Sequence, residues 1–237
     1  MPQTQIIGGG SVQAGVPMAV DPLFQAARFS PRPFDYAQLG QVLGHYRAVL
    51  ITGTTVSIGA AGILAYLRWS DPSRYFVLVR LQAQALVAST ITTGVQVDVG
   101  AYVARGSTAA GSGGTLVNLQ GNNSKLRANM NASLITDGRV ATTAALTAPT
   151  SATADANPFA TYVTPVSFQT TAPASGTTGM ANTLTPLQDL YKLDCLGQHP
   201  VILSPNEVLE LQEISAGPTT GGIKWYFPIE WAEVASF

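Results

Sequence analysis

Charge is scarce in this sequence. Lys, Arg, Asp and Glu together make up only 11% of its 237 residues, less than half of the roughly one quarter usual in soluble domains. A monomer relies on charge to stay soluble and to discourage association. A chain this poor in charge either covers itself with Ser, Thr, Asn and Gln or hides surface against neighbours, as assembly proteins do. Cysteine is nearly missing too, and Cys195 alone excludes an internal disulfide framework. There is no basic run and no basic–aromatic patch, so no nucleic-acid partner is expected. The opening Met1-Pro2-Gln3-Thr4-Gln5 lacks the basic and apolar regions of a secretory signal. Residues 48–67 carry no charge, the feature that raises a membrane question. Thr52, Gly53, Thr54, Thr55, Ser57, Gly59 and Gly62 interrupt that run, so no membrane partner is expected either.

The charge that is present is unevenly spread. Residues 1–139 hold nine Arg and one Lys against five Asp, a net of +5, and residues 140–237 hold two Lys against three Asp and five Glu, a net of −6. Two faces of opposite sign would suit head-to-tail contacts, although halves of a sequence need not map onto faces.

Motifs that carry chemistry are few. The only histidines are His45 and His199, and no nucleophile elbow or zinc spacing surrounds them. Asp194, Cys195 and His199 are the nearest approach to a ligand cluster, and with no second Cys or His nearby they predict no metal site. Glu207, Glu210 and Glu213, or Glu230 and Glu233, offer carboxylate pairs of the kind glycosidases use. At strand spacing they read instead as solvated faces and turns. Gly121-Asn122-Asn123-Ser124-Lys125 lacks the frame of a phosphate loop. The sequence therefore predicts no catalytic residue, no cofactor and no enzymatic activity.

What the chain has in quantity is strand signal. Residues 75–81 are aromatic and β-branched, after a turn at Asp71-Pro72-Ser73. Val95, Val97 and Val99 alternate with Gln96 and Asp98, which predicts one buried and one wet face. Ile223, Trp225, Phe227, Ile229 and Trp231 share a face, opposite Lys224, Tyr226, Pro228 and Glu230. That pattern puts the two tryptophans in the core and leaves Tyr102, Tyr162 or Tyr226 as better candidates for sugar contacts. Pro228 suggests an edge strand or a bulge. Val201–Leu203 and Val208–Leu211 flank a turn at Ser204-Pro205-Asn206. Tyr36, Leu39, Val42, Leu43 and Tyr46 have helical spacing weakened by Gly40 and Gly44, so a short helix and an extended lead-in both stay open. Many short strands without a firm helix predict an all-β, jelly-roll-like β-sandwich over residues 34–237. Long loops are expected at about 106–135 and 140–187, the second a mixture of short strands and long loops partly covered by neighbours.

Residues 1–33 read as an extended N-terminal arm. Pro2, Pro17, Pro22, Pro31 and Pro33, with Gly8-Gly9-Gly10, deny it regular structure. Its apolar anchors are Ile6, Ile7, Val16, Val20, Leu23, Phe24 and Phe29. Ordering an arm costs about 1–2 kcal/mol per residue in backbone entropy, and each anchor returns about 1.5–3 kcal/mol if fully buried. Such an arm orders only where a surface accepts most of its anchors, and a neighbouring subunit is the expected acceptor.

Five blocks occur in order: Gly44-His45-Tyr46-Arg47, Arg68-Trp69, the run Gly121 to Arg127, the run His199-Pro200-Val201-Ile202-Leu203-Ser204-Pro205-Asn206-Glu207, and Glu230-Trp231-Ala232-Glu233-Val234. Over residues 34–237 this resembles a family of virion structural proteins of tailed bacteriophages, with the two C-terminal blocks the most specific. The family pattern has Gly after the Asn-Glu pair, where this chain has Val208. The resemblance implies a virion protein, assembled in the bacterial host cytoplasm, and carries no catalytic residues. The expectation is a capsid decoration or cement protein that forms a homo-oligomer, a trimer being favoured, and binds virion proteins such as the major capsid protein. The rivals are a tail- or fibre-associated carbohydrate-binding module, marked by exposed aromatics at loop tips, and a glycan hydrolase, marked by a two-carboxylate cleft.

Overall fold

The alternation of apolar and polar residues resolves into strands in a computed structural model, which describes residues 42–89, 91, 96–165, 184–193 and 199–235. In chain order these strands are β1 (Val42–Ile51), β2 (Ile63–Trp69), β3 (Tyr75–Ser89), β4 (Gln96–Arg105), β5 (Thr115–Leu116), β6 (Asp137–Val140), β7 (Thr153–Ala154), β8 (Ala160–Pro165), β9 (Gln188–Lys192), β10 (Ile202–Leu203), β11 (Glu207–Glu213) and β12 (Gly222–Val234). No helix occurs among the described residues. Val42 to Tyr46 are strand, and the earlier part of the helically spaced segment lies outside those residues.

Two antiparallel sheets pack against each other. The first runs β1-β12-β3, with β10 and β9 both pairing β3, and the second runs β5-β6-β2-β11-β4, with β7 and β8 both pairing β4. Without the short β5, β6, β7 and β10, the orders are β1-β12-β3-β9 and β2-β11-β4-β8. Each sheet alternates early and late strands, which is the eight-stranded jelly roll.

The inner faces are aliphatic with two aromatic chains. Tyr46 stacks on Trp231 at 5.5 Å, Trp231 on Phe76 at 6.0 Å, and Phe76 meets Trp69 at 6.2 Å. Trp225 stacks on Phe227 at 5.6 Å and receives the edge of Tyr162 at 5.8 Å. Ile223, Trp225, Phe227, Ile229 and Trp231 are all buried, as their alternation predicts. Such contacts add about 0.5–1.5 kcal/mol per pair beyond the area buried.

Two expectations need correction. Of the two alternatives for Pro228, the edge strand is not found, because β12 lies between β1 and β3, whereas a bulge-like register shift is, between Glu230 and Trp231. Thr52 N–H donates to Trp225 O, so odd-numbered residues of this stretch of β12 bond to β1 and Pro228 turns its missing N–H towards β3. There the register passes from Tyr226↔Gln84 to Ile229↔Leu81, skipping Phe227 and Pro228, and a shift follows between Glu230 and Trp231. The register is the same on both sides of Pro228, so the proline costs the β12–β3 ladder its local pairing while β12 stays paired with β1 through Val49↔Pro228. In β4, Val97 and Val99 are buried, but so is Asp98, which accepts from Ser215 N (2.8 Å) and Ser215 Oγ (2.9 Å). Val95 lies outside the described residues. The Ala- and Thr-rich stretch after Val140 contains β7 and β8. Ala141, Leu146, Ala148, Ala152 and Ala154 roof the outer face of the second sheet, packing on Ile63, Tyr66, Ala104 and Val208. The segment thus holds short strands, as expected, and its described part covers the outer face of the second sheet.

Candidate interaction face

The second sheet is roofed by its own chain, whereas the outer face of the first is open beside Arg47, Val49 and Ile51 and buried at its other end around Val77, Ala232 and Val234. Along β1 the side chains alternate. Tyr46 and Leu50 are buried inside, and Arg47, Val49 and Ile51 are exposed. Val49 keeps 49% and Ile51 43% of their surface, and Val56 in the following turn keeps 41%. Val49 and Ile51 lie side by side on the sheet, and Leu116, Val163, Leu184 and Leu187 are exposed to a like degree elsewhere. In register, Arg47 faces Glu230, Val49 faces Pro228 and Ile51 faces Tyr226. Arg47, Val49, Pro228, Glu230, Arg80 and Gln82 contribute to the lining of a groove of about 230 Å³. Arg80 donates through Nε to Asp189 at 2.7 Å, and that hydrogen bond lowers the pKa of the carboxylate. Arg47 and Glu230 make no ion pair among the described residues.

The edge of β1 is partly open as well. At one end Arg47 N–H donates to Ser124 O (2.8 Å) and Leu126 N–H to His45 O (3.3 Å). At the other, Gly53 N–H donates to Ala141 O (2.8 Å). Between these clamps, the backbone groups of Val49 and Ile51 that point away from β12 have no partner among the described residues. An unpaired edge of this kind templates further strand pairing.

The five sequence blocks converge on framework rather than on a reacting centre. Gly44 leaves room for the Tyr46 ring, which a Cβ would penetrate, and Tyr46 Oη donates to Asn131 O at 3.0 Å. Gly121 to Lys125 closes a turn in which Ser124 Oγ donates to Leu119 O at 2.6 Å. The turn then lies along β1. Trp69 Nε1 donates to Arg74 O at 2.8 Å, and Arg68 Nε to Ser107 Oγ at 2.9 Å. In the turn between the sheets Asn206 takes φ +68°, a left-handed conformation that asparagine tolerates better than most residues. Glu207 accepts the Ser204 N–H at 2.7 Å. Val208, where the family pattern has Gly, is a buried strand residue opposite Arg68 and Ala104. Glu233 is fully buried and accepts from Ser133 Oγ (2.7 Å), Leu134 N (3.1 Å) and Trp231 Nε1 (3.2 Å).

The glutamates are not the solvated side chains that their spacing predicts. Glu210, Glu213 and Glu233 are all buried, and burial raises the pKa of each. Glu210 lies under the roofed face, where Gln212 Nε2 donates to its Oε2 at 2.6 Å and Oε1 has no partner. Glu213 follows Leu209 and Leu211 on the inner face, and its pKa is pushed up to about 7, chiefly by burial and further by the charge of Asp98. The N–H groups of Gly217 and Trp225 offset part of that rise. The first is committed to Ile58 O at 2.8 Å and the second closes no hydrogen bond. Glu230 opens on the outer face of the first sheet, away from Glu233. This distribution over separate environments does not form one cleft.

Other candidates resolve individually. His199 is exposed, and Asp194 and Cys195 lie outside the described residues. Tyr162 is no sugar platform, because it is buried and its Oη donates to Thr185 Oγ1 at 2.7 Å. Tyr102 and Tyr226 are half-buried. The arm anchors Ile6, Ile7, Val16, Val20, Leu23, Phe24 and Phe29 lie outside the described residues. No protein-family model, curated protein or solved structure matches the chain.

Proposed function

We propose that this chain is a structural binding protein of a tailed-phage virion, of the decoration or cement type, whose copies associate with one another and with the shell. The observation that carries this reading is the asymmetry of the sandwich. One sheet is roofed by the chain's own loop, while the other presents Val49 and Ile51 on an open face and edge. In a chain with 11% charged residues, such a face favours association over solvation. The order of the five sequence blocks supports the virion assignment. A protein that binds assembled shell and not free subunits stabilises the shell by mass action. The arm of residues 1–33, with its seven anchors, offers a second attachment.

The test uses purified full-length protein and particles of the encoding phage that lack it. Co-sedimentation with those particles, together with a higher temperature of shell disruption, is the expected result. Sedimentation as a monomer at micromolar concentration, combined with no binding to particles, would refute the proposal.

A further inference from the structure

We infer that two copies of this chain pair face to face, about a two-fold axis running parallel to the strands between β1 and β12. The inference rests on the assembly reading above and names the surface that assembly uses. The cross-strand register supplies the geometry, because Arg47 faces Glu230, Val49 faces Pro228 and Ile51 faces Tyr226. Rotation about the proposed axis lays β1 of one copy over β12 of the other without sliding along the strands. Each residue then meets the cross-strand partner of its counterpart. Arg47 of the second copy lies over Glu230 of the first, and the reverse. Val49 meets Pro228, and Ile51 meets Tyr226. One charged row and two apolar rows are thereby self-complementary, as an isologous contact requires.

Three further observations favour a second copy as the occupant. Among the described residues Arg47 and Glu230 close no ion pair, whereas Arg80 is held by Asp189 at 2.7 Å, so the rotation brings two oppositely charged side chains together. The groove of about 230 Å³ is smaller than the roughly 300–1,000 Å³ of sites that enclose small molecules. It is suited to side chains from an opposing sheet. Sheets packed face to face keep their strands within about 30° of each other, and an axis parallel to the strands meets that condition. This contact gives a dimer on its own and leaves other surfaces free for a three-fold contact.

The test is sedimentation velocity of the full chain across a dilution series, with Arg47→Glu, Glu230→Arg, the double reversal and Val49→Asp. These positions are exposed or half-buried, and near-ultraviolet circular dichroism confirms that each variant stays folded. Each single reversal should weaken dimerisation by about tenfold or more through like-charge contact. The double reversal should restore it, and Val49→Asp should abolish it. Wild-type association that all four variants retain would overturn this surface and leave the assembly reading standing. Failure of the double reversal to recover would overturn the two-fold arrangement. Loss of particle binding in the single variants with unchanged mass would assign the face to another virion protein. A wild-type chain that neither associates nor binds particles would overturn both.

Discussion

Replacing Glu213 by glutamine should stabilise the protein above neutral pH and leave it nearly unchanged in mild acid. Glu213 is buried on the inner face of β11, its Oε2 has no hydrogen-bond partner, and its pKa in the fold is about 7 against an ordinary 4.5. The native state therefore holds a proton that the unfolded chain has released between those two values. Stability that depends on this proton is complete below about pH 4.5 and falls as pH rises through about 7. At about 1.4 kcal/mol per pH unit, the loss at alkaline pH is about 3.5 kcal/mol. Glutamine keeps the shape and cannot ionise, so it escapes that loss. Urea unfolding followed by tryptophan fluorescence at pH 5, 6, 7 and 8 should show Glu213→Gln gaining about 3 kcal/mol over wild type at pH 8. The difference should shrink towards zero at pH 5. Glu210 and Glu233, whose pKa values are also raised, contribute equally to both proteins and cancel in the comparison. A wild-type advantage that stays constant from pH 5 to 8 would refute the reasoning, because Glu213 would then be ionised in the native state throughout.

Glu233→Ala should cost about 3–5 kcal/mol in chemical unfolding, since it strands the donors of Ser133, Leu134 and Trp231 and leaves a void in the core. Gly44→Ala should cost about 1–3 kcal/mol, because the added methyl group displaces the buried Tyr46 ring from Trp231; differential scanning calorimetry reads this directly. Arg80→Ala should change stability by less than about 1 kcal/mol, because its pairing with Asp189 is solvent-exposed, and a larger loss in urea titration would contradict that assignment.

The sequence made the sandwich legible where one face of a strand is apolar and the other polar. Residues 223–231 and the Ser204-Pro205-Asn206 turn gave unambiguous local signals. Burial that depends on distant segments left weaker traces. Glu210 alternates with Leu209 and Leu211 like a solvent-facing residue, and only the roof built by residues 141–154 takes it out of water. That roof consists largely of alanines, whose small side chains give little periodic signal of packing. Pro228 pointed to an edge strand or a bulge because a central strand normally needs every donor, and of the two it is the irregular register, not an edge, that accompanies it. The interaction face had a readable sign. Arg47 shares one side of β1 with Val49 and Ile51, which marks that side as outward. A run of apolar residues obscured it.

The central position of β12 orders events in time. Val42 pairs with Val234, and Ile51 with Tyr226, so β1 waits for a partner that the ribosome delivers roughly 180 residues later. At about 5–20 residues per second, that wait lasts roughly 10–40 s. Until residue 234 has emerged, the first sheet lacks the strand between β1 and β3, and the face that carries Glu230 does not exist. A nascent chain that has not yet exposed β12 is thus unable to present the surface on which copies would meet. Chains stalled before Gly222 should remain sensitive to protease and fail to join full-length copies. Protease resistance in such a stalled chain would mean that the sandwich closes without its central strand.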